Sequence, residues 1–307
     1  MFFGVIDNYF DGIKRRMKYF KHLGVLILLI LLPSGVSGRS SVWSISDGHT
    51  TFFLGGTIHL LREEDYPLPK EYQQAYKKSS LVVFESNLSQ LNTMAFGIKL
   101  SRAMVLPRDS DLSSVLNAAV YEKLKKFWQA RNYSDTMFDR MRPWGAMMLL
   151  TQLTLHDYGI NQQGVDAFFD RKMILDGKKE QYLETPDEQL AIMESMADGD
   201  ENTMVLQTLD ELQSIPEMTE KLMHYWKSGD VFRLENEMLQ PMKNGSASIY
   251  QKVVVDRNLR WYPTLKILLK EKINAFVLVG TLHLVGKDGL LEHFHHDGYT
   301  VKYFGEE

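Results

Sequence analysis

Two short segments near opposite ends of the chain share a potentially reactive pattern, Gly-Thr-x-His. Residues 52–61 read FFLGGTIHLL and residues 276–285 read FVLVGTLHLV, with six of ten positions identical. Imidazole can bind Zn, Mn, Fe or Co, or can act as an acid or base. We therefore take His59 and His283 as candidate metal ligands at one site. The alternative is a purely structural turn whose histidine caps backbone groups.

Other polar residues stand where predicted strands end. Gly56 and Gly280 permit a tight turn and the close approach of a ligand. Glu85 follows the apolar strand 81–84, so it could be a metal ligand or the general base that activates water. Glu184 ends another short strand, and the same reasoning applies to it more weakly. The alternative for Glu85 is a helix cap or a surface ion pair.

Arg257 and Asn258 open the last long predicted helix before the second motif. They could hold a substrate carbonyl or a transition-state oxyanion through charge-assisted hydrogen bonds. A solvated helix start is the alternative. The histidines at 293, 295 and 296 could bind metal, but the amphipathic pattern around them favours an exposed helix face.

Each motif lies in a unit of strand, turn, helix and strand. The first motif precedes a predicted helix over 69–78 and a strand over 81–85, and the second precedes a helix over 287–296 and a strand over 299–303. Ligands of open α/β sheets bind at the carboxyl edge of the strands. The sequence thus predicts an α/β fold whose mixed sheet core is built from two βαβ-like repeats carrying the GxxH turns.

The chain between the repeats reads as mostly helical. We predict one domain over 39–307, in which a helical insertion, 88–270, separates the repeats 42–87 and 271–307. Apolar spacing predicts the helices 112–131, 138–155, 165–175, 203–212, 218–226 and 259–269. One short strand, 181–184, interrupts them, and Thr185-Pro186 has the pattern of a helix N-cap followed by proline.

The first 38 residues have the order of a secretory signal peptide. A basic segment, 14–21, precedes the apolar run Leu23–Leu32 and a small, polar stretch ending at Gly38. That run is about half of the ~20 residues that cross a bilayer, which disfavours a retained membrane anchor. We expect cleavage after Gly38, a start at Met1 or Met17, and an exported protein, periplasmic or extracellular, with no stable membrane span.

Composition and missing motifs exclude several functions. The 307 residues contain no cysteine, which rules out disulfides, cysteine–zinc sites and thiol nucleophiles. The formal net charge of −4 gives no electrostatic case for binding nucleic acid. The absence of HExxH, GxSxG, Walker and GxGxxG motifs removes the main support for ordinary zincin, serine hydrolase, NTPase and dinucleotide-binding functions.

Taken together, the paired motifs resemble the TraB/PrgY/GumN family, to which the Tiki metallopeptidases are related. The closing segment GTLHLVGKDGLLEHFHHDGYTV and the segments GVDAFF, LETPDEQL and DRNLRW are also similar to that family. The resemblance covers about residues 42–305. It implies a Tiki-type fold and peptide hydrolysis that depends on Mn or Co, with His59, His283 and Glu85 at the site and Arg257 and Asn258 in support.

We therefore expect an exported metal-dependent hydrolase that cleaves a peptide or protein substrate. His59, His283 and Glu85 would bind a divalent ion, Mn, Co or Zn, and Glu85, Arg257 and Asn258 would serve catalysis. The alternative is a non-catalytic envelope module that binds a peptide or small ligand in the same cleft.

Overall fold

The computed structural model describes residues 39–195 and 200–305, so the predicted signal peptide, 1–38, lies outside the described residues. The strands are β1 (Val42–Ser46), β2 (Thr51–Thr57), β3 (Leu60–Leu61), β4 (Leu81–Phe84), β5 (Gln162–Gln163), β6 (Lys179–Tyr182), β7 (Ala275–Gly280) and β8 (Thr300–Tyr303). The helices are α1 (Lys70–Lys78), α2 (Leu88–Leu91), α3 (Met94–Ala103), α4 (Leu112–Val115), α5 (Ala118–Gln129), α6 (Asp135–Phe138), α7 (Pro143–Asp157), α8 (Val165–Asp176), α9 (Pro186–Ser195), α10 (Glu201–Ser228), α11 (Val231–Arg233), α12 (Gln240–Gly245), α13 (Ala247–Tyr250), α14 (Asp256–Lys270) and α15 (Leu290–His296). Short 3₁₀ turns cover Glu63–Asp65 and Thr281–His283, and π-helical turns cover Leu234–Leu239 and Gln251–Val255.

A six-stranded mixed sheet forms the centre of the protein, in the order β6-β4-β7-β2-β1-β8. The four strands β6, β4, β7 and β2 are mutually parallel, whereas β1 runs antiparallel to both β2 and β8. The prediction of an α/β fold with a mixed sheet is thus confirmed. Because both faces of the sheet are covered, β2 and β7 are buried along nearly their whole length rather than on alternate residues.

The chain leaves the neighbouring strands β2 and β7 in opposite directions. From β2 it passes through α1 to β4, on the far side of β7, and from β7 it passes through α15 to β8, beyond β1. The two helices accordingly cover opposite faces: Tyr72 of α1 packs with Phe276, whereas Phe294 of α15 packs with Val277. Such a point of divergence opens a crevice at the carboxyl edge of a sheet.

The region 88–270 is mostly helical, but its strand β6 joins the edge of the main sheet. The predicted helix 112–131 is broken into α4 and α5, and the helix predicted over 138–155 begins only at Pro143. The predicted helices 203–212 and 218–226 are one continuous helix, α10, which contains Pro216. Thr185 caps α9 as predicted, since the Glu188 amide donates to its hydroxyl at 3.2 Å.

Helix α10 connects two separate hydrophobic cores. Its first half, with Leu209 and Ile215, packs with α4, α5 and α7 in a helical lobe. Its last turns, with Met223 and Trp226, pack against the sheet. Pro216 lies where the helix passes from one core to the other. None of the helices within 39–195 and 200–305 has the length and apolarity needed to cross a bilayer.

Candidate functional site

The four parallel strands of the sheet bring the predicted site residues to one edge. Parallel strands that share a register also share their carboxyl ends, and here Phe84 pairs with both Tyr182 and Leu278 while Thr57 pairs with Gly280. The residues that follow these strand ends are Glu184, Glu85, His283 and His59. The juxtaposition therefore follows from strand order.

The two Gly-Thr-x-His turns pack against each other at this edge. A Cβ atom on Gly56 would lie 2.6 Å from Thr281 Oγ1, so the first turn needs glycine for the second to approach. Gly280 has a different task, because its amide donates to Glu85 Oε1 at 2.7 Å. A Cβ atom on Gly280 would meet its nearest neighbour at 3.4 Å, an ordinary contact.

Arg257, the second residue of α14, joins the two predicted carboxylates and His283 in a buried cluster. Its Nη2 donates to Glu85 Oε2 at 2.6 Å and to Glu184 Oε1 at 2.6 Å, and its Nε donates to Glu184 Oε2 at 3.1 Å. The third nitrogen, Nη1, lies 3.1 Å from His283 Nε2. The guanidinium also lies over Trp261, with its centre 4.5 Å from the ring centroid. Glu184, the least secure of the predicted residues, is thus fully part of the cluster.

Asn258 fixes the orientation of His283. Its Oδ1 lies 2.8 Å from His283 Nδ1, and its Nδ2 donates to the carbonyls of His283 and Asp288 at 3.0 and 2.8 Å. Since an amide oxygen only accepts, Nδ1 must carry the proton, and Nε2 must then accept from Arg257. His283 is therefore neutral, with its one lone pair directed at a guanidinium.

Burial and charge pull the pKa values in this cluster apart. Burial raises the pKa of the Glu85 carboxyl, but the Arg257 guanidinium, helped by both histidines and the Gly280 amide, lowers it to about 2. Burial lowers the pKa of His283, and with the neighbouring Arg257 it outweighs the attraction of Glu85 and brings the pKa to about 3. Glu85 is therefore ionised and His283 neutral throughout the neutral pH range.

His59 has a different environment. Its side chain is 72% exposed, and its Nδ1 lies 2.9 Å from Asp166 Oδ2. Asp166 is in the first turn of α8, which approaches closely because the Val165 amide donates to the Ile58 carbonyl at 3.0 Å and because Gly164 has no side chain. The Asp166 carboxylate raises the pKa of His59.

Asp166 is a site residue that the sequence reasoning did not identify. It belongs to the segment GVDAFF, whose sequence indicates only the resemblance to a family. An acidic residue in the first turn of a helix is ordinarily explained by the helix dipole. The glycine before it, which permits a close backbone approach, was the available signal.

An open cleft of about 700 Å³ lies beside the strand ends. His59 and Glu85 line it together, with Asp166 and Asp170 from α8 and Gln162 from β5. Arg257, Asn258 and His283 lie beneath it, buried and bonded to one another. Their placement argues against the expected direct contact of Arg257 or Asn258 with a substrate carbonyl, because their polar groups are already engaged.

Comparison with known proteins places the whole arrangement in a family. The sequence matches the TraB/PrgY/gumN family over residues 41–303. The chain belongs to the TraB/PrgY/gumN family. Two relatives carry the name Metalloprotease TIKI1: the Danio rerio protein is 24% identical over 318 residues, covering 86% of this chain and 63% of that protein, and the Homo sapiens protein is 24% identical over 352 residues, covering 91% and 68%.

A bacterial relative matches over nearly its whole length. Uncharacterized protein YbaP of Escherichia coli (strain K12) is 22% identical over 269 residues, which cover 84% of this chain and 95% of that protein. The chain thus spans less than two thirds of the Danio rerio metalloprotease but most of the bacterial family member. No solved structure matches the chain.

The metalloprotease relatives of this TraB/PrgY/gumN protein raise the question of whether its residues fit a metal ion. The donors suit one in kind, because both histidines are anchored through Nδ1, as metal-binding histidines usually are. In the arrangement described they are not assembled around one: within residues 39–195 and 200–305, no three histidine, aspartate or glutamate side chains are grouped to hold an ion. Arg257 uses the lone pair of His283 that a metal would need.

Proposed function

We propose that this protein is an exported, metal-dependent hydrolase that cleaves peptides. The observation that supports the proposal most is the meeting of two Gly-Thr-x-His turns with Glu85 at one sheet edge, beside an open cleft, in a chain whose family includes named metalloproteases. The predicted ligands remain His59, His283 and Glu85, and the ion remains Mn, Co or Zn.

The residues around Glu85 prepare it to act on a water molecule in the cleft. Arg257 and the Gly280 amide hold one carboxylate oxygen each, so the group stays ionised and fixed in direction. With a pKa near 2, however, Glu85 is too weak a base to activate water alone at neutral pH. A divalent ion held by His59, His283 and Glu85 would supply what is missing, since such an ion lowers the pKa of a bound water and polarises a carbonyl.

The other predicted residues have supporting roles in this proposal. Asp166 orients His59 through Nδ1 and leaves Nε2 for a ligand or a proton. Asn258 orients His283 through Nδ1 in the same way, but the Nε2 of His283 accepts a hydrogen bond from Arg257. Arg257 acts on substrate only through Glu85 and His283, and Glu184 holds Arg257 in place by two parallel hydrogen bonds. We therefore regard Arg257, Asn258 and Glu184 as positioning residues.

Export rests on the sequence of residues 1–38, which we propose to be a cleaved signal peptide. The substrate would then be a peptide or protein met in the periplasm or outside the cell. Sequencing the N-terminus of the protein recovered from the envelope of a bacterial host tests this part. A first residue of Arg39 is expected, and a chain that keeps residues 23–32 would refute cleavage.

One observation favours the alternative function, a non-catalytic module that binds a peptide. Every polar group of Arg257, Asn258 and the ring of His283 has a protein partner, so the buried cluster is complete without an ion. A protein of this kind would bind peptides in the cleft and release them unchanged.

Peptide cleavage by the full chain distinguishes the two functions. A diverse peptide library is incubated with the purified protein in EDTA and then with Mn²⁺, Co²⁺ or Zn²⁺, and products are identified by mass spectrometry. We expect cleavage that requires metal and is lost in Glu85→Gln but retained in His295→Gln, a change on the exposed face of α15. Peptide binding without cleavage under all of these conditions would support the binding module instead.

A further inference from the structure

Asp170 is a carboxylate on the cleft wall that the proposed mechanism does not use. It lies on α8, one helical turn after Asp166, and lines the same cleft as His59 and Glu85. Residues four apart on a helix are neighbours on one face. The Asp170 side chain therefore stands next to the group that orients His59.

Among the described residues, no cation forms an ion pair that neutralises the Asp170 carboxylate. In the part of the chain that the structure describes, no lysine, arginine or histidine makes an ion pair with Asp170, although Arg171 also lines the cleft. The Asp170 side chain is half-buried. Burial, together with the like charge of Glu180 on β6, raises the pKa of Asp170.

The two other acidic residues of the cleft wall, unlike Asp170, have protein hydrogen-bond partners. Asp166 is bonded to His59, and Glu85 is bonded to Arg257 and the Gly280 amide. Asp170 is thus the carboxylate of the cleft that is left for a ligand. A partly desolvated carboxylate gains most from a cationic hydrogen-bond donor, which restores both the lost solvation and the charge balance.

We infer that Asp170 selects substrates that carry a cationic nitrogen close to the bond that is cleaved. The nitrogen belongs either to a lysine or arginine side chain or to the amino terminus of the peptide. One turn of α8 spans about 5.4 Å, and an extended peptide rises about 3.3 Å per residue. The cation would therefore lie within about two residues of the part of the substrate that contacts His59. This inference deepens the proposed function and rests on it.

Peptide binding in EDTA tests the inference without requiring hydrolysis. One fluorescent peptide is made in three forms, with lysine, glutamine or glutamate at the central positions, and each form is made with a free and with an acetylated amino terminus. Anisotropy titrations compare the full-length wild type with Asp170→Asn, Asp170→Lys and a matched control, Asp187→Asn. Asp187 is an exposed acidic residue of α9 outside the cleft lining.

We expect the wild type to bind the lysine peptide about tenfold more tightly than the glutamine peptide, which corresponds to a single charge-assisted contact. Asp170→Asn should reduce this ratio to within about twofold, Asp170→Lys should favour the glutamate peptide, and Asp187→Asn should keep the ratio. If acetylation of the amino terminus weakens binding and the lysine-to-glutamine change does not, the terminal amine is the recognised cation. Equal binding of all forms by the wild type, or an unchanged preference in Asp170→Asn, would overturn the inference.

The binding test of Asp170 and the cleavage test of the proposed hydrolase can fail independently of each other. A charge preference that depends on Asp170, seen in a protein that cleaves no peptide, would keep the assignment of Asp170 and refute the hydrolase. Metal-dependent cleavage without such a preference would keep the hydrolase and refute the role of Asp170.

Discussion

His59 and His283 occupy the same position in two nearly identical turns, but their surroundings differ in almost every respect. His59 is exposed in the cleft and is anchored by a carboxylate from α8. His283 is 5% exposed, is anchored by an amide from α14, and accepts a hydrogen bond from an arginine. One local sequence therefore supplies two histidines with different protonation and different access to solvent.

The difference arises from elements that are distant in sequence. The turn itself fixes the backbone and the strand end, and it places each imidazole at the sheet edge. The partner of Nδ1 comes from 107 residues away for His59 and from 25 residues away for His283. A repeated motif thus determines where a group lies, and the packed helices determine its chemistry.

The largest expected contrast is between His59→Ala and His283→Ala. Loss of His283 leaves a cavity and removes partners from Arg257 and Asn258, so the free energy of unfolding should fall by about 2–5 kcal/mol. Loss of the exposed His59 should cost about 1 kcal/mol or less. Urea denaturation of both variants measures this. Equal losses of stability would contradict the described difference in burial.

The glycines of the two turns should also differ. Gly56→Ala should destabilise the protein by about 1–3 kcal/mol, because the new methyl group would overlap Thr281. Gly280→Ala should change the stability by about 0.5 kcal/mol or less, since its nearest contact is already ordinary. Thermal unfolding of each variant gives the comparison. A tolerated Gly56→Ala would show that the two turns are not in close contact.

The two imidazoles should give opposite dependences of stability on pH in the metal-free protein. The pKa of His283 is lowered to about 3, so its unfolded form takes up a proton as the pH falls from about 6.5, and stability should decline by about 1.4 kcal/mol per pH unit between pH 6 and 4. The pKa of His59 is raised, so its smaller contribution is present below pH 6.5 and is lost as the pH rises toward 9.

Urea denaturation across this pH range checks both slopes. The acid slope should flatten in His283→Gln and persist in His59→Gln. A slope that is unchanged in His283→Gln would assign the acid sensitivity to other groups.

The smallest expected effect concerns metal affinity. Lysine at position 257 keeps a positive charge but cannot hold both carboxylates and His283 at once. Arg257→Lys should therefore free the Nε2 atom of His283 and raise the affinity of the protein for Mn²⁺ up to about tenfold. Isothermal titration calorimetry of the protein without substrate measures this. Arg260→Lys, which changes an exposed arginine 3.7 Å from Glu184, is the matched control. If the gain persists in a His283→Ala background, Arg257 and the ion do not compete for that ring.

Part of this site follows from the sequence and part does not. The paired motifs and Glu85 could be found because each ends a continuous apolar strand, and the ends of parallel strands meet. Asp166 has only Gly164 as a local signal, since its contact depends on how the start of a helix packs against a turn. Arg257 was identified by type, but its burial was not, because a polar residue at a helix start gives no sign of what covers it.

The sequence pattern likewise did not predict that α10 is one continuous helix. Proline in a helix interior ordinarily breaks or kinks it, so the sequence favoured two helices on either side of Pro216. The two halves remain joined because each buries an apolar face, Leu209 and Ile215 in the helical lobe and Met223 and Trp226 against the sheet. Tertiary packing outweighs the local preference at Pro216.

Pro216 also has a consequence for the width of the cleft. Its nitrogen has no hydrogen to donate, so α10 lacks one backbone hydrogen bond between the half that packs in the lobe and the half that packs on the sheet. Of all positions along α10 between the two cores, the helix backbone would resist a tilt of the lobe least at this residue. Leu60 packs on the lobe while pairing with Gln163 at the cleft rim, so a tilt of the lobe would shift that rim relative to the fixed strand ends and Glu85.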